Sequence, residues 1–261
     1  MSRIETVIRR VNESGKKCFV PYIMAGDGGL DRLLPTLKLL QEAGATMIEI
    51  GIPFSDPAAD GPVIQEAGKR ALAEGTTLPG IFEALRDVRE HIHIPLIFMT
   101  YFNPILAMGA ASFAQSCAAL EIDGCIIPDL PLEEEVEIKP YLQPYKIDLI
   151  RLASITSPLQ RLQALADGAE GFLYAVAVKG VTGVREKTEA SSLAYIRRLA
   201  GLSSIPVLAG FGISSPGQAR QMGEACAGVI VGSQIINHLQ EGKIKEIEDF
   251  IHGANGIGMR E

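Results

Sequence analysis

The chain of 261 residues has no tryptophan, and it carries only four cysteines and four histidines. Cys18, Cys117, Cys125 and Cys226 form no C-x-x-C pair. That argues against a disulfide framework and a thiolate metal site, and reads as four buried thiols in a reducing compartment. His91 and His93 flank a helix-to-strand junction, and His238 and His252 lie on the C-terminal helical stretch. Surface or capping roles are expected for all four, and no metal is expected. Positive charge is in deficit: 24 Lys and Arg against 31 Asp and Glu leave a formal charge of -7, with no long basic run. Nucleic acid and anionic membranes are therefore not expected partners. No apolar run reaches the roughly 18 residues of a membrane span. The N-terminus, MSRIETVIRRVNESGKK, lacks the apolar segment of a signal peptide. The cytoplasm is the expected location.

Apolar residues are plentiful, at 47% of the chain, enough for a substantial core. Ile4, Val7, Ile8 and Val11 recur at helical spacing, so a short amphipathic helix opens the chain. Eight apolar or β-branched runs follow: CFVPYIM (18–24), ATMIEIG (45–51), IPLIFMT (94–100), DGCIIPD (123–129), IDLIRLA (147–153), GFLYAVA (171–177), IPVLAGF (205–211) and AGVIVGS (227–233). Most are continuous rather than alternating, as parallel strands covered on both faces should be. Helical patterns separate them, and the last is SQIINHLQEGKIKEIEDFI. The alternation predicts an α/β fold, a (β/α)8 TIM barrel with an extra N-terminal helix, as a single domain over 1–261. The rival is a doubly wound open sheet. It would want a G-x-G-x-x-G turn after the first strand, and MAGDGGLD is not one.

In such a barrel, chemistry belongs to the C-terminal ends of the strands. Glu49 sits in the apolar run around Met47, Ile48, Ile50 and Ile52, with Asp56 and Asp60 in the turn-rich segment behind it. A carboxylate inside a strand loses water, which raises its pKa toward the range of a general acid/base. The alternative is a buried ion pair holding a helix to the strand. Asp60 reads as the second carboxylate, whereas Ser55-Asp56-Pro57 is ordinary turn chemistry. GFGISSPGQ and VGSQI each place glycine at a strand end just before a helix. Loops so built after strands seven and eight form the usual barrel phosphate site, binding the anion with backbone N–H groups. KGVTG (179–183) opens a polar segment, 179–190, long enough for a mobile lid. Tyr22, Phe98, Met99, Phe102, Tyr174 and Phe211 cluster at strand ends, as core or as walls for a flat apolar ligand.

IEIGIPFSDPAADGPVIQ, YFNPI, PDLPLEE, KGVTG, LAGFGIS and VGS follow in order along nearly the whole chain. In these strings the sequence resembles the tryptophan synthase alpha chain family. The resemblance implies a lyase that cleaves indole-3-glycerol phosphate by retro-aldol chemistry to indole and glyceraldehyde 3-phosphate. It implies no cofactor in this chain, and a tryptophan synthase beta chain as partner, with pyridoxal phosphate on that partner, in an alpha2beta2 heterotetramer. Glu49 matches the family's acid/base, and Asp60 the aspartate that accepts from the indole N–H. Tyr22, Tyr174, Thr182 and Phe211 are assigned to the substrate, and Gly183, Gly212, Gly232 and Ser233 to its phosphate. Asp56 falls near the beta-chain interface.

The sequence departs from the family pattern in Ala58 for a common leucine, Gly28 for a frequent proline and Ala177 for a frequent serine. None removes a catalytic group. A free-standing indole-3-glycerol-phosphate lyase is the alternative, with a catalytically dead activator or a phosphate-sugar isomerase behind it.

Overall fold

The computed structural model describes residues 1–86, 88–176, 185–210 and 212–255, with side chains except over 185–189. Eight strands, β1 (Cys18–Met24), β2 (Ile48–Gly51), β3 (Leu96–Met99), β4 (Gly124–Ile126), β5 (Asp148–Ser154), β6 (Leu173–Val176), β7 (Val207–Gly210) and β8 (Gly228–Val231), pair in parallel around a closed barrel. β1 closes the ring against β8, with Val20 opposite Ile230. The helices are α1 (Arg3–Glu13), α2 (Leu33–Glu42), α3 (Pro62–Ala73), α4 (Leu78–Arg86), α5 (Phe102–Met108), α6 (Ala110–Ala119), α7 (Lys139–Leu142), α8 (Leu159–Ala166), α9 (Arg185–Leu202), α10 (Pro216–Gly223), α11 (Ser233–Gln240) and α12 (Ile244–Asn255). Each predicted apolar run matches one strand, with β5 reaching one residue past its run, and the barrel with its N-terminal helix is the predicted fold.

Two details differ from the sequence reading. The last helical stretch is two helices, α11 and α12, parted at Gly242, whose φ of 67° suits glycine and breaks the helix. The segment after β3, read as a strand end, turns directly into α5.

Strand residues point alternately outward and inward. Outward, Ile48, Ile50, Leu96, Phe98 and Cys125 join one large cluster beneath the helices. Inward, Val20, Met47, Ile97, Ile126, Ile150, Leu208 and Ile230 fill the barrel. α1 closes the N-terminal end by adding Ile4 and Ile8 to that interior cluster, both with no exposed surface. Ser2 caps α1 by accepting from Glu5 N, and Arg3 ties it to the barrel floor through Asp123 Oδ1 at 3.1 Å. Among the described residues no helix is long and apolar enough to cross a membrane.

The plug generates a stability prediction. Ile8→Ala should cost about 2–5 kcal/mol, because the site is fully packed and the cavity left behind cannot collapse. Urea unfolding measures it. A loss below about 1 kcal/mol would mean that α1 merely rests on the barrel.

Candidate active site

β2 carries its carboxylate inward because of the strand's period of two. Ile48 and Ile50 take the outward positions, which leaves Glu49 on the interior face beside Met47. In register it lies between Tyr22 of β1 and Ile97 of β3. Glu49 is 1% exposed, and its Oε2 bonds to no described residue. Burial first, and then the charge of Asp60, push its pKa from 4.5 up to about 8. The group is therefore mainly a neutral acid at pH 7.

Asp60 reaches the same cavity from the loop between β2 and α3. That loop is held tightly. Ala59 N donates to the Tyr101 hydroxyl at 2.9 Å, and the Tyr101 ring stacks on Phe54 with centroids 5.2 Å apart. Gln65 Nε2 donates to Asp60 O at 2.9 Å. Gly61 and Pro62 then start α3, with proline at a position where its missing N–H costs nothing. Burial raises the Asp60 pKa from 3.8 to about 6, and the nearby Tyr101 hydroxyl, which favours the ionised form, opposes the rise. Asp60 is thus mainly ionised at pH 7, beside a mainly protonated Glu49.

A cavity of about 270 Å³ joins these groups. Tyr22 and Tyr174 wall it, each lying over a glycine. A Cβ on Gly210 would come within 2.4 Å of the Tyr174 hydroxyl, and one on Gly51 would collide with that of Tyr22. Burial and the two carboxylates push both hydroxyls well above the usual tyrosine value, so they stay protonated. Met99, Ile64 and Ile230 supply apolar wall.

The far end is made by Gly212, Ser214, Gly232 and Ser233. Gly212 has φ 74°, a left-handed turn that brings the chain round toward α10. The two helices behind this end are not equivalent. α10 is closed, since Ser215 Oγ accepts from Gln218 N, and Gln218 Oε1 in turn accepts from Ser214 N at 2.9 Å. α11 is open. Gly232 offers it no side-chain cap, and its first internal bond runs from Ile236 N to Gly232 O at 3.0 Å. The N–H groups of Ser233, Gln234 and Ile235 therefore have no helical partner. Gln234 Nε2 donates to Ser214 O at 3.2 Å and ties the two loops together.

Of the predicted site residues, Glu49, Asp60, Tyr22, Tyr174, Gly212, Gly232 and Ser233 line this one cavity. Asp56 does not; it is exposed on the loop's outer side and accepts from Ser55 Oγ at 2.6 Å. Thr182, Gly183 and Phe211 lie outside the described residues, as does much of the 179–190 segment. Phe98 faces outward against Phe82. The sequence reading missed Tyr101, Ser214 and Asn237 as site residues. Tyr101 sits in YFNPI just past β3, and Asn237 stands four residues after Ser233, hence on one helix face. A larger cavity of about 490 Å³ lies beside Asp27 and Arg70. Its acid, Asp27, is half-buried and already paired with Arg70.

The model of the tryptophan synthase alpha chain family matches residues 8–255. The tryptophan synthase alpha chain of Bacillus mycoides (strain KBAB4) is 50% identical over 242 residues, covering 93% of this chain and 94% of the relative. Among solved structures, tryptophan synthase subunit alpha from Legionella pneumophila str. Paris aligns with a TM-score of 0.88 at 32% identity over 98% of both chains. Tryptophan synthase from M. tuberculosis in an aminoacrylate-bound form aligns with a TM-score of 0.87 at 28% identity, over 97% of this chain and 98% of that one.

Glu49 makes stability depend on pH. Below pH 4.5 it is protonated folded or unfolded and contributes no pH dependence. Between pH 4.5 and about 8 the unfolded chain gives up the proton while the folded one keeps it. Stability then falls as pH rises, by at most about 1.4 kcal/mol per pH unit from this group. Glu49→Gln removes that slope. In urea unfolding at pH 5 and pH 9, the variant should gain on the wild type as pH rises. Parallel losses in the two proteins would show that Glu49 ionises freely in the fold.

Proposed function

The chain belongs to the tryptophan synthase alpha chain family, whose members cleave indole-3-glycerol phosphate, and we propose that Glu49 and Asp60 carry that carbon–carbon lyase reaction here. The observation that supports it most directly is one small cavity holding two carboxylates of different ionisation, about 8 for Glu49 and about 6 for Asp60. Membership favours the alpha subunit role over a free-standing lyase.

The phosphate sits on the open N–H groups of α11 and at Gly212, and the indole lies between Tyr22, Tyr174 and Met99. Glu49, in its acid form, gives its proton to indole C3. The ring becomes a cation, and Asp60 accepts a hydrogen bond from its N–H. The Glu49 carboxylate then takes the proton of the hydroxyl on the carbon attached to C3. That carbon becomes the aldehyde of glyceraldehyde 3-phosphate, and the electrons of the broken bond return to the ring as indole. Glu49 ends protonated, as it began. Its raised pKa suits the first transfer, and the lower pKa of Asp60 suits a charge that must be present when the cation forms. Thr182, Gly183 and Phe211 are assigned to the closing side of the substrate on the family pattern.

The family acts with a beta chain. For this chain we assign an alpha2beta2 assembly, with pyridoxal phosphate on the beta chain and none here. Asp56 presents the loop that carries Asp60 to that partner. Leu106, Val136 and Leu159 stand exposed on the segments that follow β3, β4 and β5 at the same end of the barrel, and suit an apolar contact. The chain is taken as one barrel domain acting in the cytoplasm, which its four free, buried thiols fit.

Indole release from indole-3-glycerol phosphate, with and without a beta chain, tests the reading. Glu49→Gln should lose about a hundredfold or more in turnover. Asp60→Asn should lose turnover more than substrate affinity, because the ring charge develops in the transition state. A Glu49→Gln rate within about tenfold of wild type sinks the assignment. Full wild-type activity that no beta chain alters would favour the free-standing lyase.

Affinity for free glycerol phosphate tests the cradle separately. Gly212→Asp should weaken it, since a carboxylate would enter the space where N–H groups meet the anion. Unchanged affinity would place the phosphate elsewhere.

A further inference from the structure

Both ends of the site are carried by helix N-termini, so the axial position of two helices decides whether the site is assembled. α3 begins directly behind Asp60, and α11 begins in the phosphate cradle. The buried residues of α3 are all small, Ala67, Gly68 and Ala71, while Val63 and Ile64 of its first turn pack partly buried on the same cluster. Small side chains allow a close approach but interlock weakly, and they do little to stop the helix sliding along its axis.

The start of α3 is held by Gln65 and by the packing of Val63 and Ile64, and the contact that registers its far end is polar. Arg70 donates from its Nε to Asp27 Oδ1 at 2.7 Å and from a terminal nitrogen to Asp27 Oδ2 at 2.8 Å, a two-pronged contact that fixes both distance and angle. Asp27 belongs to the turn after β1, the strand that carries Tyr22. That turn is gripped again by Thr76, just past α3, whose side chain packs on Gly26 where a Cβ would collide. The last residue of α11, Gln240, completes the contact with its amide nitrogen 3.4 Å from Asp27 Oδ2; turned over, its oxygen accepts from the Arg70 guanidinium instead. Arg70 stands about 12 Å along α3 from Pro62, and Gln240 about 10 Å along α11 from Ser233. Asp27 and the Arg70 guanidinium it holds thus tie the far ends of both helices to the turn after β1.

We propose that Asp27, Arg70 and Gln240 are positioning residues for the lyase reaction: they register α3 and α11 so that Asp60 and the α11 N–H groups face one substrate. This rests on the function proposed above. The 490 Å³ cavity beside Asp27 and Arg70 gives replacement side chains room, so the variants need not fail by overpacking.

The test measures kcat and KM for indole release, glycerol phosphate Kd and Tm in wild type, Arg70→Lys, Arg70→Met, Asp27→Asn, Gln240→Leu and the Arg70→Met/Asp27→Asn double variant. Arg70→Met and Asp27→Asn should each lower kcat and raise glycerol phosphate Kd, by roughly tenfold, since a misplacement of about 1 Å can cost up to about a hundredfold. Arg70→Lys, which keeps the charge but loses the fork, should recover part of both. Gln240→Leu should raise KM more than it lowers kcat. The double variant should be no worse than either single, because the pair acts as a unit. If Tm falls while kcat and Kd stay within about twofold, or if the two single losses multiply in the double variant, the proposal is overturned. Wild type that releases no indole would remove the reaction itself, and glycerol phosphate Kd would then decide the positioning claim alone.

Discussion

Glu49 stands inside the barrel with 1% of its surface exposed and one carboxylate oxygen bonded to no described residue. Keeping it ionised there would cost roughly 4–5 kcal/mol relative to water, from a pKa moved from 4.5 to about 8. The wall around it is arranged so that nothing relieves that penalty. Its strand neighbours in register are Tyr22 and Ile97, neither of which brings positive charge. Gly51 and Gly210 leave space for the two tyrosine rings beside it. A salt bridge at this position would stabilise the fold and abolish the acid.

The opposite end of the barrel is built the other way. There α1 supplies apolar volume through Ile4 and Ile8, and two ion pairs hold it in place, Arg3 with Asp123 and Glu5 with Arg9. Leu96 N donates to Asp123 Oδ2 at 3.0 Å, so that carboxylate also anchors the start of β3. The floor is not free of cost, since burial raises the pKa of Asp148, at the start of β5, from 3.8 to about 6 and its Oδ2 bonds to no described residue, so apolar packing by α1 is what that end chiefly adds. This division is the expected one for a parallel barrel, where strand C-terminal ends serve the ligand and N-terminal ends serve stability.

The strands were legible because a parallel barrel covers both faces and writes each strand as a continuous apolar run. Glu49 was legible for the same reason, as an acid in the middle of such a run, though Asp148 at the head of IDLIRLA is a second acid that a strand carries. The end proposed for the phosphate was legible only in outline. GFGISSPGQ and VGSQI look alike as glycine-bearing strand ends, yet Ser215 and Gln218 close the first helix while Gly232 leaves the second open. Which hydroxyl or amide turns back on its own helix is a side-chain matter that the residue pattern does not settle. Tyr101 went unread because its role, accepting from Ala59 N and favouring the ionised Asp60, joins loops 42 residues apart. The parting of α11 from α12 went unread because one glycine in a polar stretch is weak punctuation.

The open helix also explains how an anion and an acid can share one cavity. Among its described lining residues there is no lysine or arginine. A cation placed to hold a phosphate would act on Glu49 as well, since charges in a poorly solvated site interact over many ångströms. It would favour the carboxylate and pull the pKa down from about 8, and the group would lose its proton before meeting the indole. Backbone N–H groups bind phosphate with partial charges that fade within a helical turn. A bound phosphate dianion then acts in the useful direction. It raises the Glu49 pKa further, so under the proposed assignment the substrate itself helps to keep Glu49 protonated until the ring is in place.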